Sequence, residues 1–105
     1  MTVKPIVPRA RAVRDVDEAL AYYLREGEVQ AALGFIDELE RAYGHIAQYP
    51  AAGSLRYAWE LDVLGLHSWP LQRYPYLVFY REHGDHIDVW RVLHGQRDIA
   101  AWMRE

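Results

Sequence analysis

The chain is 105 residues long, carries a formal net charge of -3 from 12 Lys+Arg against 15 Asp+Glu, and contains no cysteine. The missing cysteines exclude a disulfide framework, a thiolate zinc site and a thiol nucleophile, and a composition of 51% hydrophobic and 13% aromatic residues excludes intrinsic disorder. A single domain over residues 1–105 is expected at this length. No apolar run approaches the ~18 residues of a membrane span. Met1 to Arg14 lacks the apolar core of a signal peptide, so a soluble cytoplasmic protein without a membrane partner is expected.

Charge is unevenly spread. Lys4 is the only lysine among the basic residues; the rest are arginine. Residues 1–25 hold five basic and three acidic groups, residues 26–62 two and seven, and residues 63–105 five of each. No concentrated basic stripe exists, which counts against a large nucleic-acid footprint but leaves room for a small arginine-lined site.

Val3 to Pro8 is short, apolar and interrupted by Pro5 and Pro8, which confines it to an edge strand. A helix is predicted next, starting near Arg14 or Asp15. Asp15, Asp17 and Glu18 supply early negative charge, and Val16, Ala19, Leu20, Tyr23 and Leu24 form one apolar stripe. Gly27 closes it. A second helix starts near Glu28, with Ala32, Ile36, Leu39, Tyr43 and Ile46 spaced four and three apart, and ends at Pro50 and Gly53. The short connection makes the two an antiparallel hairpin, with most of the acidic block on its outer face.

From Trp59 onward the pattern reads as strands. Leu61, Val63 and Leu64 lead to Gly65, and Leu66 to Arg73 is a strand broken by Pro70. Tyr76 to Tyr80 is an apolar run suited to a strand covered on both faces. His83-Gly84-Asp85-His86 is a hairpin turn. Ile87 to His94 alternates, with Ile87, Val89, Arg91 and Leu93 on one side and Asp88, Trp90, Val92 and His94 on the other. Arg97 to Arg104 forms a short terminal helix. The fold class is α+β, in the order β-α-α-β-β-β(-α), with an N-terminal helical hairpin on one face of an antiparallel sheet and the first strand at its edge.

Two stretches carry a resemblance. Tyr74-Pro75-Tyr76-Leu77-Val78-Phe79-Tyr80-Arg81 and Ile87 to Asp98, ending Arg91-Val92-Leu93-His94-Gly95-Gln96-Arg97-Asp98, resemble the RelE/ParE superfamily of bacterial toxins, and most the ParE-like branch. Tyr74 stands where that family has Phe, and Gln96 where it has the first Arg of a pair. The helical half matches in style through Tyr22-Tyr23, Phe35, Leu39, Pro50 and Gly53.

The resemblance implies a toxin of a type II toxin–antitoxin system, with growth inhibition and plasmid stabilisation as its consequences. The implied partners are a cognate, ParD-like antitoxin and a protein target, DNA gyrase. The alternatives are a ribosome-dependent mRNA endonuclease, or an inactive toxin-like binding domain. Under the gripping reading Arg73, Trp69, Arg81, His94 and Arg97 form the target or antitoxin surface. The antitoxin is expected on the Val16–Ile46 hairpin and the exposed sheet edge, by strand addition or a helix in a groove.

A metal-independent nuclease needs a general acid, a general base and cations for the phosphate. His94 fits the first two roles, Arg91 and Arg97 fit a bidentate clamp, and Tyr80 fits base stacking or proton transfer. Each also has an ordinary structural role: His94 bonded to its turn, Arg91 half-buried against an acid such as Asp98 or Glu60, and Tyr80 in the core. The near absence of lysine and the acidic balance weigh against RNA cutting. His83, Asp85, His86 and Asp88 crowd one hairpin, but strand alternation splays them, so no metal or cofactor is expected.

Overall fold

The computed structural model describes residues 3–104; Met1, Thr2 and Glu105, which the single-domain expectation includes, lie outside the described residues. The first strand, β1 (Ile6–Pro8), is bounded by its prolines. It pairs with β4 (Ile87–His94) in the register Ile6↔Ile87 and Pro8↔Val89. The pairing is parallel, so the sheet is mixed and not wholly antiparallel. A parallel neighbour needs a long crossover, and the helical hairpin between them provides it.

Helix α1 (Ala10–Arg25) begins directly after β1. Its start is earlier than Arg14 or Asp15, which moves Asp15 out of the first turn and into the buried face. Ala12, Asp15 and Ala19 are buried there, and Val16, Leu20 and Tyr23 pack beside them, whereas Leu24 is exposed. Gly27 takes φ +73° just beyond the helix, the left-handed turn a glycine tolerates. Helix α2 (Val29–Gln48) buries Ala32, Phe35, Leu39, Ala42 and Ile46 at helical spacing and stops before Pro50.

The segment after α2 departs from expectation. Pro50–Ala52 is a single 3₁₀ turn, and Arg56–Leu61 is a short helix, α3, which takes in Trp59 to Leu61, where the strand pattern was expected to begin. Asp62 ends it in the left-handed region, φ 54°. Strand β2 (Leu66–Pro70) ends at the proline and does not reach Arg73, which turns the chain at φ 69°. Strand β3 (Tyr76–Glu82) and β4 follow as a hairpin, and α4 (Ile99–Met103) is capped by Asp98, whose Oδ1 accepts the Ala101 N–H at 3.2 Å.

The strand order is β1-β4-β3-β2. Val78, Phe79 and Tyr80 are each 0% exposed, because both sheet faces are covered. One face packs under α1 and α2 through Val78, Tyr80, Ile87, Val89 and Val92 against Phe35 and Ile46. The other carries Leu66, Phe79, Leu93 and Ile99, with Tyr57, Trp90 and Trp102 around them under α3 and α4. Each such fully buried side chain contributes about 1.5–3 kcal/mol of apolar transfer.

The pairing shifts by one residue between Phe79 and Tyr80: Phe79 faces Arg91 and Tyr80 faces Val89, leaving Trp90 as the extra residue. The bulge reverses the alternation of β4. Val92 therefore joins Ile87 and Val89 beneath the helices, and Leu93 crosses to the opposite core. This corrects the strict alternation, which set Leu93 with Ile87 and Val92 apart from it.

Candidate functional site

β1 covers only the first half of β4. Beyond Val89 the edge of β4 lies against α1, and the backbone N–H of Val92 needs an acceptor. Asp15 supplies it: its Oδ2 accepts from Val92 N at 3.0 Å. The same carboxylate takes a bidentate pair from Arg91, Nε to Oδ2 at 2.7 Å and Nη2 to Oδ1 at 2.8 Å. Arg91 also donates to the Trp102 carbonyl. Asp15 is 7% and Arg91 6% exposed, so this is a buried fork joining α1, β4 and α4. Arg91 thus pairs with Asp15, not with Asp98 or Glu60.

Immediately beyond lies a cleft of about 490 Å³ at the sheet end where β3 begins and β4 finishes. Tyr76 and His94 are paired residues there, and their rings meet edge to face at 5.3 Å. Gly95 N donates to the Pro75 carbonyl at 2.8 Å and Arg97 N to the His94 carbonyl at 3.1 Å, which fixes the turn. The Gln96 N–H donates to His94 Nδ1 at 3.1 Å, so the neutral ring carries its proton on Nε2. The Arg97 guanidinium stacks over the Trp102 ring at 4.1 Å. From α1, Glu18, Tyr22, Tyr23 and Arg25 wall the opposite side, with Glu28 beyond. Burial raises the Tyr76 hydroxyl pKa while the Arg97 charge draws it down; burial and the neighbouring tyrosines raise that of Tyr23.

The other candidates lie outside this cleft. Arg73 lines a second cleft of about 580 Å³ with Asp37, Arg41 and Tyr74, and Tyr23 borders both. Tyr74 anchors that turn by donating to the Ala31 carbonyl at 2.7 Å, over Gly34, where any Cβ would strike its hydroxyl. Trp69 is half-buried, stacked on His45 at 4.5 Å. Arg81 lies opposite Asp88 in the strand register toward the far end of β3, roughly 17 Å along the strand from Tyr76. Tyr80 is 0% exposed. Its hydroxyl donates to the Pro50 carbonyl at 2.8 Å and accepts from Gly53 N at 3.2 Å. Burial pushes its pKa up to about 12.

The four nuclease candidates therefore divide: His94 and Arg97 share the cleft, while Arg91 and Tyr80 are occupied by structural partners. In the β3–β4 turn, the His83 and His86 rings stack at 4.7 Å, His83 Nε2 lies 3.4 Å from Asp88 and His86 Nδ1 2.7 Å from Asp85. Among the described residues no three His, Cys, Asp or Glu side chains converge as metal ligands. Sequence reasoning passed over Asp15, Glu18, Tyr22, Tyr23 and Tyr76 as site residues. The available signal was a carboxylate at position 15 between Ala12 and Ala19, on the apolar side of α1.

A helical hairpin laid on a four-stranded mixed sheet, with a tyrosine-walled cleft at one end, defines a small α+β class. A solved structure of that class is described as a chromosomal ParDE TA system from P. aeruginosa. It is 19% identical to this chain, covers 88% of it and 96% of its own length, and superposes with a TM-score of 0.73, which shows a shared fold. No curated protein matches the sequence. The family model described as ParE toxin of type II toxin-antitoxin system, parDE, matches residues 6–99. The chain belongs to this ParE toxin family.

Proposed function

We propose that this type II toxin works by gripping a protein, with DNA gyrase as the target, and that a cognate ParD-like antitoxin neutralises it. The observation that carries this reading is the composition of the cleft. His94 and Arg97, with Tyr76 beside them, face Tyr22 and Tyr23 across a space that also holds Glu18, Arg25 and Glu28. Tyrosine walls with mixed charges suit the side chains of a protein partner. They suit an RNA backbone less, because Glu18 and Glu28 offset Arg25 and Arg97 and leave no excess positive charge for phosphates. Two of the four groups that a metal-free nuclease would use, Arg91 and Tyr80, are engaged elsewhere.

The antitoxin is assigned to the hairpin, where Tyr22, Leu24, Val29 and Leu33 are each about half exposed, and to the exposed sheet edge at β1, an outermost strand. The activity belongs in the cytoplasm, with arrested growth and plasmid stabilisation as its outcomes. No helix among the described residues is long and apolar enough to cross a membrane.

The test is a supercoiling assay with purified gyrase, relaxed plasmid and saturating toxin. Wild-type protein should block supercoiling, and His94→Ala with Arg97→Ala should relieve the block without unfolding the chain. Unchanged supercoiling, together with mRNA cut on translating ribosomes, would move the assignment to a nuclease. Unchanged supercoiling with intact mRNA would leave an inactive binding domain.

A further inference from the structure

Among the described residues, the two most exposed large apolar side chains lie on neither the cleft nor the hairpin: Trp59 is 84% and Leu64 88% exposed. Trp59 sits in the last turn of α3 and Leu64 just past the left-handed cap at Asp62. Leu55, at the N-cap, is 45% exposed and four residues before Trp59, so it lies on the same side of the helix. The buried work of α3 is done by its other side, where Tyr57, Ala58 and Leu61 pack on the lower core. Nothing in the fold requires a tryptophan in water at this place, and a cluster of this kind marks an interaction surface.

We propose that α3 is a self-association surface, on which a second copy of this chain docks about a two-fold axis. The argument is the arrangement of charge around the apolar residues. Arg56 and Glu60 flank Trp59 and pair with each other along the helix, Nε to Oε1 at 3.1 Å, with both side chains more than half exposed. The helix face thus reads positive at its start and negative at its end, where Asp62 follows. Such a face is complementary to itself when reversed. In an antiparallel pair, Arg56 of each copy meets Glu60 of the other, while Leu55 and Trp59 close the seam between them. A two-fold interface demands this kind of self-complementarity. The α2 face, with Asp37 and Glu40 exposed beside Arg41, carries an excess of negative charge and lacks this reversal of sign along its length.

The size sets the strength. Two Trp59 rings carry on the order of 400 Å², and Leu55 and Leu64 of both copies add to it. The interface therefore falls at the small end of specific contacts, below ~1,200 Å². A transient dimer, populated as concentration rises, is the expected behaviour.

Sedimentation velocity on the full chain, from micromolar to near-millimolar protein, tests this. Wild type should shift from monomer to dimer across the range. Trp59→Ser should weaken the dimer by about thirtyfold or more, and Leu64→Ser should weaken it less. Arg56→Glu alone and Glu60→Arg alone each place like charges opposite one another and should weaken it about tenfold. The double variant R56E/E60R should return to the wild-type constant, because the pairing is restored with its signs exchanged. Thermal melts by circular dichroism check that each variant is folded. A chain that stays monomeric throughout overturns the proposal, as does a dimer insensitive to Trp59→Ser. So does a double charge swap that is as weak as the single ones. Loss of antitoxin binding in Trp59→Ser, with the wild-type toxin monomeric, would give the surface to the antitoxin instead.

Discussion

Removing the carboxylate of Asp15 tests the geometry at the centre of the molecule. In Asp15→Ala, the Arg91 guanidinium keeps its burial but loses both members of its fork, and the Val92 N–H loses its acceptor. Breaking a buried pair from one side costs about 3–5 kcal/mol, since a buried charge loses its counter-ion. The orphaned N–H adds about 1–3 kcal/mol. A domain of this size has about 5–15 kcal/mol to lose, so Asp15→Ala should fall near the folding threshold. Arg91→Leu should cost about 3–5 kcal/mol, because Asp15 is then the unpaired charge, though it keeps Val92 N. The double variant Asp15→Ala with Arg91→Leu leaves neither charge of this pair buried. Its expected loss is about 1–3 kcal/mol, chiefly the unsatisfied Val92 N–H and the emptied volume. Urea denaturation with a fixed slope supplies the three values. The coupling, by which the double variant costs several kcal/mol less than its parts, is the signature of a closed pair. A single-variant loss below about 1 kcal/mol, or simple additivity, would refute the reasoning.

Other consequences follow from neighbouring groups. Gly53→Ala should destabilise by about 1–3 kcal/mol, because a Cβ there meets the Tyr80 hydroxyl and lies 3.0 Å from the Ser68 carbonyl oxygen. In Tyr80→Phe the added cost of Gly53→Ala should shrink, which denaturation midpoints would show. Burial raises the Asp88 carboxyl, but the Arg9 fork, at 3.0 and 2.9 Å, together with Trp90 and His83, brings it below the usual carboxylate range. An unfolded aspartate takes its proton near pH ~3.9. The contribution of Asp88 is thus present above that pH and lost as pH falls through the lower folded value. Arg9→Gln should remove about 0.5–1 kcal/mol at neutral pH and flatten the acid limb of a melting-temperature profile, since Arg9 is half exposed. An acid limb as steep as that of wild type would contradict this. Burial pushes Tyr43 and Tyr80 up to about 12, so their stabilisation holds below pH ~10 and fades as pH rises toward those values. Phenolate absorbance should show these two ionising only with unfolding; all 8 tyrosines ionising together in a folded chain would be the contrary result.

Much of the fold was legible in the sequence because single periodicities decided it. The run Tyr76 to Tyr80 read as a doubly covered strand, and its last three residues are fully buried. The spacing of Ala32, Leu39 and Ile46 fixed the buried side of α2, and Gly27 marked the turn before it. What stayed hidden depends on relations between distant residues. The bulge at Trp90 has no local signature; it arises where β3 and β4 adjust register, and it turns the second half of β4 over. α3 is six residues long, too short for periodicity to separate it from a strand containing Leu61, Val63 and Leu64. The site was half legible. His94 and Arg97 stood out as chemistry-bearing residues at a strand end. Asp15 read as a helix-start charge, because its partners lie more than 75 positions away. Tyr22, Tyr23 and Tyr76 looked like ordinary apolar positions until the hairpin and the sheet end enclosed one cleft.

The most direct test of the proposed action is conditional expression of the intact chain with two simultaneous readouts, plasmid supercoiling and mRNA integrity. The expected result is a change in DNA topology with full-length message, abolished by co-expressed antitoxin and by substitution of His94 and Arg97. Cleaved mRNA on ribosomes with normal supercoiling would contradict it.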